Sequence, residues 1–222
     1  MGQALESLVT SKTLVDQAYE VIRDAICAGT LKPGERLTQD DVAKRLNVSR
    51  QPINNALHML KAQGFVIESG RRGLAVAPLD PKLYESIYQF RTAIEPLAVR
   101  LAIPRLTPAA EKHGRALIER GKKISERGDS VRAIEADMDF HSWIYDLSGN
   151  SLIMETLALH WQHLRRVMAE VLRHPDLTRQ VWRDHAAIFD AMVKGDKKAA
   201  AQLMHDHVTV AYQKVNPAVA FG

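Results

Sequence analysis

Residues 31–76 read LKPGERLTQDDVAKRLNVSRQPINNALHMLKAQGFVIESGRRGLAV, and this stretch decides the fold of the N-terminal part of the chain. Thr38 is followed three residues later by Asp41, a spacing that caps a helix start. Ser49 offers a second cap after the short Asn47-Val48 turn. Two short helices joined by a tight turn predict a helix-turn-helix, whose second helix enters the major groove of DNA by its N-terminal end.

Two short β-like runs follow these helices, at residues 65–68 and 74–77. They are joined by Ser69-Gly70-Arg71-Arg72-Gly73, and glycines with arginines at a hairpin tip are typical of a DNA-touching wing. Glycine lets the backbone approach closely, and arginine reaches phosphates or a minor-groove edge. Between residues 42 and 79 one acid, Glu68, is set against six basic residues: Lys44, Arg45, Arg50, Lys61, Arg71 and Arg72. Such an excess suits phosphate contact, although a solvated basic face has the same pattern.

The chain has two parts with different sequence patterns. Up to Leu79 short helices alternate with turns and β-like runs, whereas after Asp80 the β signals vanish and long amphipathic helices take over. The Pro78-Leu79-Asp80-Pro81 stretch marks the boundary, because paired prolines resist helix continuation. We therefore predict a mainly α protein. A winged helix-turn-helix DNA-binding domain is expected over residues 1–79, and an all-helical bundle for effector binding and dimerisation over residues 80–222.

The C-terminal part reads as about six helices separated by glycine and proline signals. Pro96 is expected to kink or break the first of them, and residues 215–222 read as a loose tail. The expected spans are 82–103, 107–128, 130–147, 151–173, 177–194 and 197–214.

Four polar residues fall on the apolar stripes of these helices. Asp137 and His141 share one helix face because they are four apart, and His185 and His207 lie on the apolar faces of two other helices. Burying a carboxylate and three imidazoles is costly unless they are paired or bound to something. A divalent cation such as zinc, nickel or manganese suits this set of groups. Hydrogen-bonded core histidines are the alternative, and the spacing alone leaves both open.

The stretch 31–76 resembles the winged helix of GntR-family regulators. The resemblance rests on the Pro-Gly-x-x-Leu turn, Leu-Asn-Val-Ser-Arg-x-Pro, the Ala-Leu-x-x-Leu helix and the Arg-Gly wing. The C-terminal half resembles the FCD ligand-binding domain of the FadR-type subfamily. That likeness rests on Asp137-x-x-Phe140-His141 with Ser148-Gly149-Asn150, and on His185-Ala-Ala-Ile-Phe-Asp-Ala-Met with Gly195-Asp196 and His207.

The resemblance implies a set of DNA-contacting residues. Arg50, at the start of the recognition helix, is the candidate for a bidentate guanine contact. Many family members carry Arg-Glu where this chain has Asn54-Asn55, so its operator preference is expected to differ from theirs. The implied residues are Ser49, Arg50, Gln51 and Asn54 on the helix, and Gly70, Arg71, Arg72 and Gly73 at the wing tip.

The resemblance also implies a metal and an effector. Family members bind a metal at the positions of Asp137, His141, His185 and His207. Zinc is expected first, with nickel or manganese as alternatives. Arg91 resembles an arginine that the family carries on the first FCD helix, and its guanidinium can hold an effector carboxylate. Pairing with Glu95, four residues on, is the alternative for Arg91. A small hydroxy or keto carboxylate is the expected effector class.

The predicted function is therefore transcriptional regulation, by a homodimer that binds double-stranded operator DNA and a small carboxylate. One rival is a metal-dependent enzyme with a fused DNA-binding domain. It lacks a clear general base, because Asp139 points about 160° around the helix from Asp137 and His141. A winged helix used only for protein contacts is another rival. The single Cys27 and the lack of a signal-like or membrane-spanning segment predict a cytoplasmic protein without a membrane partner.

Overall fold

A computed structural model describes residues 12–70, 73–127, 129–171 and 175–220. Contacts divide the chain into two compact units, one up to Pro78 and the other from Leu79 onward. The prediction of a mainly α fold with a small winged sheet is confirmed. In the described residues the elements are α1 (Leu14–Cys27), β1 (Arg36–Leu37), α2 (Gln39–Leu46), α3 (Arg50–Ala62), β2 (Val66–Ser69), β3 (Gly73–Val76), α4 (Pro81–Ala102), a 3₁₀ turn (Ile103–Arg105), α5 (Pro108–Ser125), α6 (Ser130–Ser148), α7 (Ser151–Val171), α8 (Pro175–Val193) and α9 (Lys197–Ala220).

Short polar side chains fix where the helices of the first unit begin. α1 starts with a capping box at Thr13. The Thr38 hydroxyl accepts a hydrogen bond from the Asp41 N–H at 3.1 Å, which starts α2. α2 ends at Asn47, whose φ of 53° lies in the left-handed region that asparagine tolerates. Ser49 precedes α3 in an extended conformation, but its side chain makes no capping hydrogen bond.

One face of α3 forms the centre of the first core. Ile53, Ala56, Leu57 and Leu60 repeat at helical spacing and are all fully buried. They belong to a cluster that also includes side chains of α1 and the sheet. The opposite face of α3, including Arg50 and Gln51, stays exposed. The burial of one face of α3 therefore leaves the other face open to solvent.

The sheet has three antiparallel strands in the order β1-β3-β2. β2 and β3 form the predicted hairpin, with Ser69 opposite Gly73 at its tip end. β1 has no counterpart among the predicted strands, and in it Arg36 pairs with Ala75 and Leu37 with Leu74. Two residues are too few for the alternating pattern that identifies a strand.

Two details of the bundle differ from expectation. Of the two outcomes expected at Pro96, the break is wrong, because α4 is continuous through that residue. α9 reaches Ala220, so the prediction of a loose tail is wrong for residues 215–220, and residues 221 and 222 lie outside the described part. Val215 is buried in the bundle core, and this packing supports the additional helical turn.

The packing of the helices brings together the apolar faces that carry the four predicted metal ligands. α4 packs against α6, α7 and α9, and α8 packs against α5 and α9. Phe140, Trp161 and Trp182 are large side chains that are almost completely buried at these contacts. The helices that carry the four predicted metal ligands therefore share one core. Among the described residues, no helix combines the length and the hydropathy of a membrane span.

Candidate functional site

The four residues predicted to bind a metal converge in the bundle. Asp137 and His141 lie on α6, His185 on α8 and His207 on α9, and all four are buried. One ligand atom from each lies within 4.8 Å of the others. The Nε2 atoms of His185 and His207 are 3.2 Å apart, and His185 Nε2 is 3.4 Å from Asp137 Oδ1. Three imidazoles and one carboxylate from three helices thus lie next to one another in the core.

A buried acid, Glu95, connects the cluster to Arg91. Arg91 Nε donates to Glu95 Oε1 at 2.5 Å, and His141 Nδ1 lies 2.8 Å from Glu95 Oε2. Burial alone would raise the pKa of Glu95, but the charges of Arg91 and His141 outweigh it and hold that pKa well below its usual range. Burial alone would lower the pKa of Arg91, but Glu95 holds it above the ordinary value. Glu95 is therefore a carboxylate and Arg91 a cation.

The contact with Glu95 sets the orientation of His141. A carboxylate opposite Nδ1 favours the tautomer that carries its proton there, which leaves the Nε2 lone pair free when the ring is neutral. His141 Nε2 is buried and has no hydrogen-bond partner among the described residues, whereas Nδ1 lies close to Glu95 Oε2 without meeting hydrogen-bond geometry. Buried polar atoms are normally bonded, so an unpartnered nitrogen that belongs to the cluster indicates a place for a ligand.

His185 and His207 have their own supporting contacts. His185 stacks on Phe140, with ring centroids 4.3 Å apart, and meets Trp182 edge-on at 4.9 Å. Burial, reinforced by His207 and His141, holds the pKa of His185 well below its ordinary value, so its ring is neutral. His207 Nδ1 lies 3.6 Å from Asp184 Oδ2. Neutral imidazoles backed by carboxylates are the usual state of metal-binding histidines.

A cavity of about 70 Å³ adjoins the cluster. Asp137 and His207 line it together with Arg91, whose side chain is only 3% exposed. Arg91 also packs over the rings of Tyr88 and Trp161, with its guanidinium carbon 5.1 Å and 4.6 Å from their centroids. Arg91 thus pairs with Glu95, which was the alternative expected for it, and also lines the cavity.

The predicted DNA-contacting residues lie on the N-terminal half of α3. Ser49, Arg50 and Gln51 are exposed. Arg50 forms an ion pair with Asp40 at 2.6 Å. The half-buried Asn54 accepts a hydrogen bond from Gln39 Nε2 at 2.6 Å, so its carboxamide is already held by α2.

The wing is described in part. Gly70 has a φ of 65°, which suits a tight hairpin tip, and Gly73 pairs with Ser69. A Cβ on Gly73 would lie 2.6 Å from the Ser69 carbonyl oxygen, so this position has no room for a side chain. Arg71 and Arg72 lie outside the described residues.

Comparison with protein families identifies both units. Residues 14–76 match the model described as bacterial regulatory proteins, gntR family, and residues 86–210 match the FCD domain. The FCD match alone spans more than half of the chain. The chain belongs to the GntR family of transcriptional regulators and carries an FCD domain.

Relatives of this GntR-family regulator cover nearly its full length. The HTH-type transcriptional regulator YdhC of Bacillus subtilis is 29% identical over 199 residues, covering 86% of each chain. McbR of Escherichia coli is 24% identical over 210 residues, covering 92% of this chain and 95% of its own. The solved structure of E. coli McbR/YncC matches with a TM-score of 0.76 at 22% identity, over 91% of this chain and 99% of that one. A putative GntR regulator from Rhodococcus sp. RHA1 gives 0.74 at 24%, over 90% and 96%.

Two residues that contact the Asp/His cluster of the FCD domain, Glu95 and Asp184, were not predicted to belong to the site. Glu95 was considered only as an ion-pair partner of Arg91, and Asp184 was not considered. The i, i+4 spacing predicted the pairing of Glu95 with Arg91, but it carries no signal for the contact of Glu95 with His141 on another helix. Of the other candidates, Asp139 is exposed and pairs with Arg120, as its position around α6 predicted.

Proposed function

We propose that this GntR-family regulator binds operator DNA through its winged helix and changes its operator affinity when a small carboxylate binds beside a divalent metal ion. The observation that carries the proposal is the buried Asp/His cluster in the wall of a cavity that Arg91 also lines. In this proposal residues 1–79 form the DNA-binding domain, and residues 80–222 form the effector-binding and dimerisation domain.

Asp137, His141, His185 and His207 would hold the metal. Three nitrogen donors and one oxygen donor suit zinc, and they are also compatible with nickel or manganese. The unpartnered Nε2 of His141 and the carboxylates behind His141 and His207 support this fit. When bound, the ion would supply a Lewis acid beside the cavity, and Asp137, His141, His185 and His207 would hold it there.

Arg91 would orient the effector. A guanidinium carries five N–H donors, and one of them, on Nε, is directed to Glu95. A carboxylate that enters the cavity meets this fixed cation at the buried end. A small 2-hydroxy or 2-keto acid fits the arrangement, because its carboxylate can pair with Arg91 while the neighbouring oxygen lies toward the ligand cluster.

On the DNA side, Ser49, Arg50, Gln51 and Asn54 would contact the major groove, with the wing from Gly70 to Gly73, including Arg71 and Arg72, on the adjacent backbone. Helix-turn-helix proteins commonly act as homodimers, because two-fold symmetry matches operator half-sites about 34–36 Å apart. The effector can shift operator binding only by its different affinity for two arrangements of the dimer.

The proposal is tested by measuring DNA affinity under controlled metal and effector conditions. Duplexes that bind the full chain would first be selected from a random library. Fluorescence anisotropy at fixed salt then gives the operator Kd of zinc-loaded protein with and without lactate, pyruvate or malate. We expect at least one acid to change the operator Kd by about fivefold or more, the lower end of typical allosteric coupling.

Metal-stripped protein is the control, and it should bind DNA without responding to the acid. An equal response with and without metal would contradict the metal-dependent part of the proposal. Failure to select any duplex with salt-dependent affinity would contradict the DNA-binding part.

A further inference from the structure

The cavity beside the ligand cluster is polar at its buried end and mainly apolar elsewhere. Arg91, Asp137 and His207 form the buried polar end and are 2%, 4% and 6% exposed. Most of the remaining lining consists of hydrocarbon and aromatic side chains: Tyr88, Met168, Leu177, Val181, Val210, Ala211 and Val215. An effector whose carboxylate binds at the buried end therefore places the rest of its body against apolar surface.

The charges around the cavity do not favour a second carboxylate. Arg91 and Lys214 are the cationic side chains in the described lining, and Lys214 is exposed to solvent, where its charge is screened. Asp184 also lines the cavity and would repel an added anion. Burying an unpaired carboxylate is costly, whereas each buried methylene is favourable.

We infer that the effector is a monocarboxylate with a short aliphatic body, such as a 2-hydroxy or 2-keto acid with a branched alkyl side chain. This inference rests on the proposed function, because it takes the carboxylate end at Arg91 and the metal as given. The apolar lining favours an alkyl side chain on the effector, and the buried polar end favours its carboxylate and the neighbouring oxygen.

A matched pair of ligands tests the inference directly. Malate and 2-hydroxy-4-methylpentanoate have the same 2-hydroxy acid head, and a carboxylate in the first replaces an isopropyl group of similar shape in the second. Isothermal titration calorimetry of zinc-loaded full-length protein should give a Kd for 2-hydroxy-4-methylpentanoate about tenfold lower than for malate, or lower still. Its heat-capacity change on binding should also be more negative, as apolar burial requires.

A positive charge placed in the apolar lining should largely remove the preference for 2-hydroxy-4-methylpentanoate over malate. Val210 is 41% exposed, so Val210→Lys is expected to fold. The added cation should bring the two dissociation constants to within about threefold by favouring malate. Val193→Lys is the matched control, because Val193 is 38% exposed, lies near the end of α8 and does not line the cavity. It should keep the wild-type ratio.

The outcomes separate the inference from the proposed function. Malate binding as tightly as 2-hydroxy-4-methylpentanoate, or an unchanged ratio in folded Val210→Lys, would overturn the inference. Binding of lactate or pyruvate but not of 2-hydroxy-4-methylpentanoate would overturn it too, and would leave the carboxylate site intact. If none of the four acids binds the zinc-loaded protein, the proposed carboxylate effector is wrong as well.

Discussion

Glu95 holds together the buried charges of the FCD site. Its two carboxylate oxygens face Arg91 on one side and His141 on the other, and its side chain is fully buried. Removing one partner of a buried ion pair leaves an uncompensated charge, which typically costs about 3–5 kcal/mol. Glu95 therefore positions both the proposed effector anchor and a proposed metal ligand, although it belongs to neither group.

Glu95→Gln should weaken metal binding without removing a ligand. We expect the zinc Kd to rise by about 10–100-fold, because an amide no longer offers His141 Nδ1 a charged acceptor. Competition titration with a chromogenic chelator measures this Kd, and circular dichroism verifies the fold. Glu155→Gln, at an exposed position of α7, should leave the Kd unchanged. Wild-type affinity in a folded Glu95→Gln variant would contradict the positioning role.

Arg50→Ala should weaken specific operator binding by about 1–3 kcal/mol. The ion pair between Arg50 and Asp40 is exposed on both sides and is worth at most about 1 kcal/mol. A bidentate guanine contact is worth about 1–3 kcal/mol, so exchanging one for the other is favourable. Anisotropy titration at fixed salt measures the loss, with the exposed Arg127→Ala as the control of equal charge. Unchanged operator affinity in Arg50→Ala would rule out the base contact.

At the scale of single elements, the sequence predicted what local chemistry controls. The cap at Thr38 begins a helix where expected, since its side chain accepts a backbone N–H of the first turn. The end of α9 was not predictable in this way. Residues 215–222 read as a loose tail, but the burial of Val215 against the core favours a longer helix. Local signals fail where tertiary packing decides.

In the candidate site, too, some features follow from the local sequence and others depend on tertiary packing. Helical periodicity places Asp137 and His141 on one face of α6, so their neighbourhood needs no tertiary information. The convergence of His185 and His207 on that face depends on how α8 and α9 pack, which the residues alone left open until the family resemblance was considered. The contact of Glu95 with His141 crosses from α4 to α6, and no local pattern reports it.

Gly121→Ala should destabilise the contact between α5 and α8. A Cβ at this position would collide with the ring of Trp182, which also packs edge-on against His185. Alanine is favoured over glycine in a helix by about 1 kcal/mol, but overpacking a core costs about 1–3 kcal/mol. We expect a net loss in the free energy of unfolding in urea. The double variant Gly121→Ala/Trp182→Phe should show favourable coupling, and strict additivity would contradict the proposed collision.

The metal-free protein should lose stability in mild acid. Burial and the neighbouring His207 and His141 hold the pKa of His185 well below the ordinary 6.5, so below that pH the unfolded chain binds a proton that the folded chain does not. This stability is fully present above pH 6.5 and is lost as the pH falls toward the lowered pKa, by up to about 1.4 kcal/mol per pH unit. Urea unfolding with chelator at about pH 7.5 and 5.5 measures the loss. His185→Gln should reduce it, whereas the exposed His205→Gln should not; an equal loss in both variants would contradict the assignment.

At the scale of the whole molecule, regulation requires coupling between the FCD domain and the winged helix. Linkage makes this coupling reciprocal, so a carboxylate that changes operator affinity by a given factor has its own affinity changed by operator DNA by the same factor. Typical couplings of about 1–3 kcal/mol correspond to about 5–150-fold, which is large enough for a regulatory response. In the proposed function, both effects depend on the buried Asp/His cluster.

Metal content of the purified protein tests that centre most directly. After equilibrium dialysis against buffered zinc, elemental analysis should find one zinc per wild-type chain and almost none in His185→Gln/His207→Gln. The matched control, His113→Gln/His205→Gln, replaces two exposed histidines on α5 and α9 and should keep one zinc per chain. Wild-type protein without zinc, or a folded His185→Gln/His207→Gln variant that retains one zinc per chain, would contradict the account.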